Sequence, residues 1–190
     1  MNTFPIVHLT LQKLKERQSE KNFLRVQVDQ GNELNTICKF NEPAEESEFS
    51  LFTKETNLVL PPDYIDFLKL HNGGILYSLD DDLGGGIELF SIEEIIENYE
   101  DYRDDLLESF YPIGIENGEE LLLINSAECD PLCRNKNYLY WSDVLDLEDP
   151  INLNSNFEIW LDRLVMAQGN KFWYWNIYTA ETYYKTHKGV

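Results

Sequence analysis

Residues 60–74 read Leu60-Pro61-Pro62-Asp63-Tyr64-Ile65-Asp66-Phe67-Leu68-Lys69-Leu70-His71-Asn72-Gly73-Gly74. A helix start, an apolar face and a glycine stop fall there in consecutive order. Pro61 and Pro62 suit a first helical turn, where a missing N–H costs nothing, and Asp63 places negative charge at the positive end of the helix dipole. Tyr64, Phe67, Leu68 and His71 lie at i, i+3, i+4 and i+7, one stripe for a core, and Asn72-Gly73 supplies residues that tolerate a left-handed stop.

Outward from this block the chain alternates short strands with capped helices. Towards the N-terminus, Val7, Leu11 and Leu14 predict a first helix ending near Ser19. Phe23–Val28 and Leu34–Phe40 flank a turn signal at 29–32 and predict a hairpin, and a helix is expected over about 45–55. Towards the C-terminus, strands are expected at Ile75–Tyr77 and Ile87–Phe90, on either side of the acidic glycine loop 80–86. Ser91 and Glu94 form a capping box with Phe90 and Ile95 as its staple, so Ile92, Ile95, Ile96 and Tyr99 should face the core. Phe110–Ile115 and Leu121–Ile124 read as strands joined through Asn117-Gly118, and Tyr138–Trp141 as another. Ser155 and Glu158 suggest a second capping box, before a stripe of Phe157, Trp160, Leu161, Leu164 and Val165 that ends at Gly169.

The chain has 190 residues, 43% hydrophobic and 13% aromatic, with 35 acids against 15 bases, a formal net charge of −20. That length supports a real core and one compact unit, and the apolar content argues against disorder. No stretch approaches the roughly 20 apolar residues that cross a bilayer, and no basic-then-apolar leader opens the chain, so a soluble, cytoplasmic protein is expected. Residues 29–162 hold 32 of the acids and six bases. Phosphate backbones and anionic headgroups select clustered Lys and Arg, so nucleic acid and membrane are disfavoured as partners. An acidic surface suits a basic protein instead, and complementary potential can raise association rates about 10- to 1,000-fold at low salt.

Evidence for catalysis is thin. The three histidines, His8, His71 and His187, sit in no recognisable catalytic motif, and no nucleophile elbow, Walker or zinc-protease pattern occurs. A partly buried, satisfied imidazole is the expected role of His71. Cys129 and Cys133 lack a second Cys or His pair to complete a zinc site, so reduced thiols in a loop are expected. Asp80, Asp81, Asp82 and Glu88 with Gly84–Gly86 fail the EF-hand, because Gly84 takes the fifth position and Ser91 the twelfth. Neither a metal nor another cofactor is expected, and no catalytic residue is assigned. The tail 171–178, with Phe172, Trp173, Tyr174, Trp175 and Tyr178, opens two readings: rings buried on the domain, which is the expectation, or an exposed platform for a partner or a sugar.

The block at 60–74 resembles the signature of the Smi1/Knr4 (SUKH) superfamily, a Leu-Pro-x-x-Tyr-x-x-Phe-Leu…Asn-Gly-Gly pattern. The likeness continues through Leu89–Tyr99, Tyr111-Pro112-Ile113-Gly114, Tyr138–Trp141 and Phe157–Leu161 in the family's order. It covers about 45–166, which leaves 1–44 as a helix-and-hairpin extension and 167–190 as an aromatic-rich extension packed on the domain. The resemblance implies an α+β fold, a central, largely antiparallel sheet with packed helices. It also implies a non-enzymatic binding protein, since many bacterial members resemble immunity proteins that neutralise polymorphic toxins and others are interaction regulators. Joined to the acidic excess, it singles out Asp80, Asp81, Asp82, Glu88, Glu97, Asp101, Asp104 and Asp105 as partner contacts for a basic, nuclease-like toxin, with Tyr99 or Tyr102 as aromatic anchors. A general interaction scaffold is the alternative, followed by a small-ligand or carbohydrate binder.

Overall fold

A computed structural model describes residues 5–79 and 84–186. Its elements run α1 (Ile6–Ser19), β1 (Leu24–Gln27), β2 (Glu33–Phe40), α2 (Glu46–Thr56), α3 (Pro62–Leu68), β3 (Gly74–Leu79), β4 (Ile87–Leu89), α4 (Ile92–Tyr102), β5 (Phe110–Glu116), β6 (Glu120–Asn125), β7 (Leu139–Asp143), β8 (Ile151–Asn152), α5 (Phe157–Met166) and α6 (Ala180–Thr186). The strands form a single sheet in sequence order, β1 to β8, and every neighbouring pair is antiparallel. This is the expected α+β architecture, with the N-terminal hairpin as part of the same sheet. β8 is additional to the strands expected from the sequence.

One face of the sheet carries the main core. Leu76, Leu89, Ile113, Leu122, Ile124, Leu139 and Trp141 meet Leu11 and Leu14 of α1, Phe52 of α2, Tyr64 and Phe67 of α3, Ile92 and Ile95 of α4, and Phe157, Trp160 and Leu161 of α5. Fully burying one such side chain contributes about 1.5–3 kcal/mol. The β2–β3 register shifts between Ile37 and Lys39, where Cys38 of β2 stands opposite two residues of β3, Leu76 and Tyr77. There Gln18 of α1 serves both backbone groups of Cys38, accepting from its N–H at 2.7 Å and donating to its carbonyl at 3.0 Å. Opposite it Tyr77, a buried residue, takes φ +58°, and its ring lies against Gly169, where an added Cβ would come within 2.6 Å. At the β1 edge, Gln27 donates its N–H to Gln168 and accepts from Asn170, so the open edge is covered by side chains that follow α5.

The block at 60–74 organises two other helices. α3 stops at Leu68, sooner than the stripe predicts, and His71 lies in the turn beyond it, its ring tilted against Phe40 with centroids 4.8 Å apart. Asn72 keeps ordinary backbone angles. Its Oδ1 accepts from the N–H of Ile92 at 2.9 Å, an orphan donor in the first turn of α4, and its Nδ2 donates to Glu48. Gly73, at φ +85°, is needed for approach as well as for the turn, because a Cβ there would meet the Leu89 carbonyl and the Ser91 nitrogen at 2.7 Å.

Asp63 is fully buried. Its Oδ2 accepts from the N–H of Glu158 at 3.0 Å and its Oδ1 from the hydroxyl of Tyr138 at 2.6 Å, while that hydroxyl accepts from the N–H of Phe157 at 3.1 Å. Asn156 accepts from Ile159 at 3.0 Å. The first three donors of α5 are thereby all satisfied. This corrects the capping box expected at Ser155: Asn156 is the cap, and Glu158 turns instead to Arg134 at 3.6 Å.

Candidate partner-binding surface

The sheet's second face carries a smaller apolar cluster. Phe110, Leu121, Leu123 and Leu147 are buried there, with Tyr102, Leu106, Ile115, Tyr140 and Val144 packed around them. Two segments therefore close over one patch: the end of α4 with its following turn, and the loop between β7 and β8. Both are acidic. Residues 97–108 contain Glu97, Glu100, Asp101, Asp104, Asp105 and Glu108 against Arg103, and residues 143–149 contain Asp143, Asp146, Glu148 and Asp149 with no base. Arg103 lies 2.8 Å from Glu100 and 4.0 Å from Asp104, so part of the first group is neutralised within its own segment.

The sequence-derived contacts distribute as follows. Glu97, Asp101, Asp104 and Asp105 are exposed along α4 and just past it, with Asp104 at 98% side-chain exposure. Glu88 is exposed on β4, in register between Ile75 and Ile115, and Ile115 adjoins the small cluster. Tyr102 packs on that cluster, whereas Tyr99 packs on the main core, so the two tyrosines serve different layers. Asp80, Asp81 and Asp82 lie outside the described residues. The loop acids Asp143, Asp146, Glu148 and Asp149 were not among the expected contacts, and neither was Leu145, which is 92% exposed. Their signal was the alternation of acids with Val144, Leu145 and Leu147 between two strands. Tyr140 bounds the patch, donating to Glu128 and accepting from Asn152. Burial, then the Glu128 carboxylate, holds its phenol above the usual value.

The tail divides between the two readings. Trp173 sits on Trp141 at 4.7 Å and on Trp160 at 6.3 Å. Lys171 pairs with both Glu116 and Glu120, and Glu120 also accepts from Trp141 Nε1 at 2.9 Å and from the Tyr174 hydroxyl at 2.8 Å. Burial raises the carboxyl of Glu116. For Glu120, burial acts upward, but hydrogen bonds from Lys171, Trp141 and Tyr174 bring the net shift below the ordinary value. Beyond this clamp the burial expected of the rings ends: Trp175, Ile177, Tyr178 and Tyr184 are 54–73% exposed.

Burial pushes the Cys129 thiol up to about 12, and its Sγ donates to the Asn125 carbonyl, while Cys133 donates to Asn135. Among the described residues no three His, Cys, Asp or Glu side chains are grouped to hold a metal ion, and no helix is long and apolar enough to cross a membrane.

An eight-stranded antiparallel sheet with helices packed on its main-core face, tied together by a Leu-Pro…Asn-Gly-Gly block that caps two of them, defines an α+β fold of the kind the sequence resemblance implies. The chain belongs to the SMI1 / KNR4 family (SUKH-1), whose model matches residues 43–163. It is similar to two proteins of Bacillus subtilis (strain 168). The uncharacterized protein YobM is 36% identical over 186 residues, 95% of this chain and 97% of that protein. The uncharacterized protein YnaB is 36% identical over 148 residues, 77% of this chain and 92% of that protein. The YobM match runs beyond the family model at both ends.

Proposed function

We propose that this chain is a non-enzymatic protein-binding protein of the immunity type, acting in the cytoplasm to neutralise a cognate basic, nuclease-like toxin by covering its active surface. Family membership makes the binding role the natural one. The observation that carries the choice of partner is the convergence of two acidic segments, 97–108 and 143–149, over one small apolar cluster, with Leu145 standing proud among them. Apolar anchors ringed by charge suit a standard interface: the anchors supply affinity, and the acids steer a cationic partner and reject anionic ones. We propose Asp101, Tyr102, Asp104, Asp105 and Glu88 at this surface, with Glu97 as an outlying contact, Tyr99 as a support from the core, and Asp80, Asp81 and Asp82 as further contacts proposed from the sequence alone. The residues 45–166 are proposed as the binding unit, and the two extensions as additions that stiffen it.

The test is co-expression with the toxin encoded beside it, scored by survival and co-purification. Protection by the wild-type chain, with loss of both readouts when Asp101, Asp104, Asp146 and Asp149 are changed to Lys, is the expected result. A folded quadruple variant that protects fully would refute the assigned surface. Failure of the wild-type chain to bind any basic protein toxin would refute the function.

A further inference from the structure

The mildly basic N-terminal segment forms a concave site away from the residues assigned above. α1, β2 and the turn after α3 enclose a pocket of about 400 Å³ lined by Leu14, Lys15, Asn22, Cys38, Phe40 and His71, among others, within the size range of small-molecule sites. Lys15 hydrogen-bonds through its ammonium to His71 Nε2 and rests over the Phe40 ring at 5.1 Å from its centroid. The other ring nitrogen of His71 donates to the Asn41 carbonyl at 2.8 Å, which fixes the tautomer so that Nε2 is the acceptor.

An ammonium has three donors, and here one goes to a neutral imidazole, so its charge is left uncompensated. None of the described carboxylates lies within ion-pair distance of Lys15, although the chain holds 35 acids. Cys38 does not supply the missing anion, since burial pushes its thiol up to about 11 and keeps it protonated. The Gln18 amide, also at the wall, is already committed to the Cys38 backbone. Glu42 acts on His71 through space only. The remaining walls are Leu14, the Phe40 ring and the side chain of Asn22, a residue in left-handed backbone at φ +64°. One positive charge, two unused N–H groups and an apolar wall match an ion with one negative charge and a hydrocarbon body. A phosphate dianion would find only one partner charge and would meet the repulsion of the whole chain at −20.

We propose that this pocket binds a small organic monoanion, its carboxylate received by Lys15 and its apolar body lying along Leu14 and Phe40. The experiment titrates isotope-labelled full-length protein with benzoate, with the neutral benzamide, and with inorganic phosphate at millimolar concentrations, following NMR shifts. Benzoate should give saturable shifts at Lys15, Asn22, Cys38, Phe40 and His71, with benzamide giving none. Lys15→Met, which keeps the stem over Phe40, should weaken benzoate at least about tenfold, the loss expected for a charge-assisted contact; its melting midpoint is measured first, and Lys15→Gln takes its place if it unfolds. Absence of saturation with benzoate, equal binding by the Lys15 variant, or tighter binding of phosphate than of benzoate would each overturn the assignment.

Discussion

Replacing Asp63 by Ala tests the central claim about the fold, that the signature block holds α5 by its first turn. The substitution removes two hydrogen bonds to a fully buried carboxylate, from the Tyr138 hydroxyl at 2.6 Å and from the Glu158 N–H at 3.0 Å. Bonds to a charged group are each worth about 1.5–3 kcal/mol, and both donors would be left buried without an acceptor. Removing the carboxylate also removes the cost of having desolvated it, which offsets part of the sum, so a net loss of about 3 kcal/mol is expected. For a protein of this size, 1 kcal/mol moves the thermal midpoint by about 2–4 °C, so a fall of about 6–12 °C should appear in calorimetry. Asp63→Asn keeps an acceptor for Glu158 and should cost about half as much. Tyr138→Phe breaks the same network from its other side, so the loss in the double variant with Asp63→Ala should be smaller than the sum of the two singles. A midpoint within about 2 °C of wild type for Asp63→Ala, or full additivity with Tyr138→Phe, would refute the network.

Four further outcomes follow from the same geometry. Gly169→Ala should destabilise by about 1–3 kcal/mol in denaturant titrations, because the position needs φ +85° and its Cβ would meet Tyr77 at 2.6 Å. Gln18→Ala should cost about 2 kcal/mol by the same assay, leaving both backbone groups of Cys38 unpaired at the bulge. The tail clamp should loosen at both ends of the pH scale, as read by Trp173 fluorescence. Glu120 is depressed below 4.5 in the folded chain, so its contribution is present above that pH and lost as pH falls through its folded value; Lys171 is raised above 10.5, so its contribution is lost as pH climbs past that; Glu116, which is raised, opposes the acid effect in part. Reversing Asp101, Asp104 and Asp105 to Lys should slow association with a basic partner about tenfold at low salt, with little effect at high salt and no fall in the melting midpoint.

Local chemistry was legible in the sequence. The capping box at Ser91, the Asn117-Gly118 hairpin with both residues at positive φ, and the apolar stripe of α5 all appear as read. What escaped the sequence was set by partners distant along the chain. Asp63 reads as a charge at the start of its own helix, yet its acceptors serve a helix 95 residues further on. Ser155 carries the same local cap signal as Asn156, and only the position of Tyr138 and Asp63 at the helix mouth decides between them. Tyr77 gives no sign of its left-handed backbone, because an ordinary run of apolar strand residues surrounds it, and the extra residue it shares with Leu76 opposite Cys38 is set by the pairing with the neighbouring strand. For the candidate surface, acidity was visible segment by segment, but the pairing of 97–108 with 143–149 depends on both closing over Phe110, Leu121 and Leu123. The aromatic tail was ambiguous for a physical reason: its first three rings have a clamp and a tryptophan platform beneath them, and the later ones have none.

The acids assigned to the partner surface are not the residues that hold that surface in place. α4 is fixed by Ile92 and Ile95 in the main core and by Asn72 at its first turn, and the β7–β8 loop is fixed by Val144 and Leu147. The buried acids belong to the other class: Asp63 and Glu158 work inside hydrogen-bond and ion-pair networks and present no charge to a partner. A net charge of −20 repels itself in the compact state, so added salt should relieve folding while it screens attraction to a cationic partner. Salt therefore acts on the two properties with opposite signs. An acidic content serving only solubility would share the first effect, and it would have no reason to gather over one apolar patch beside an exposed leucine.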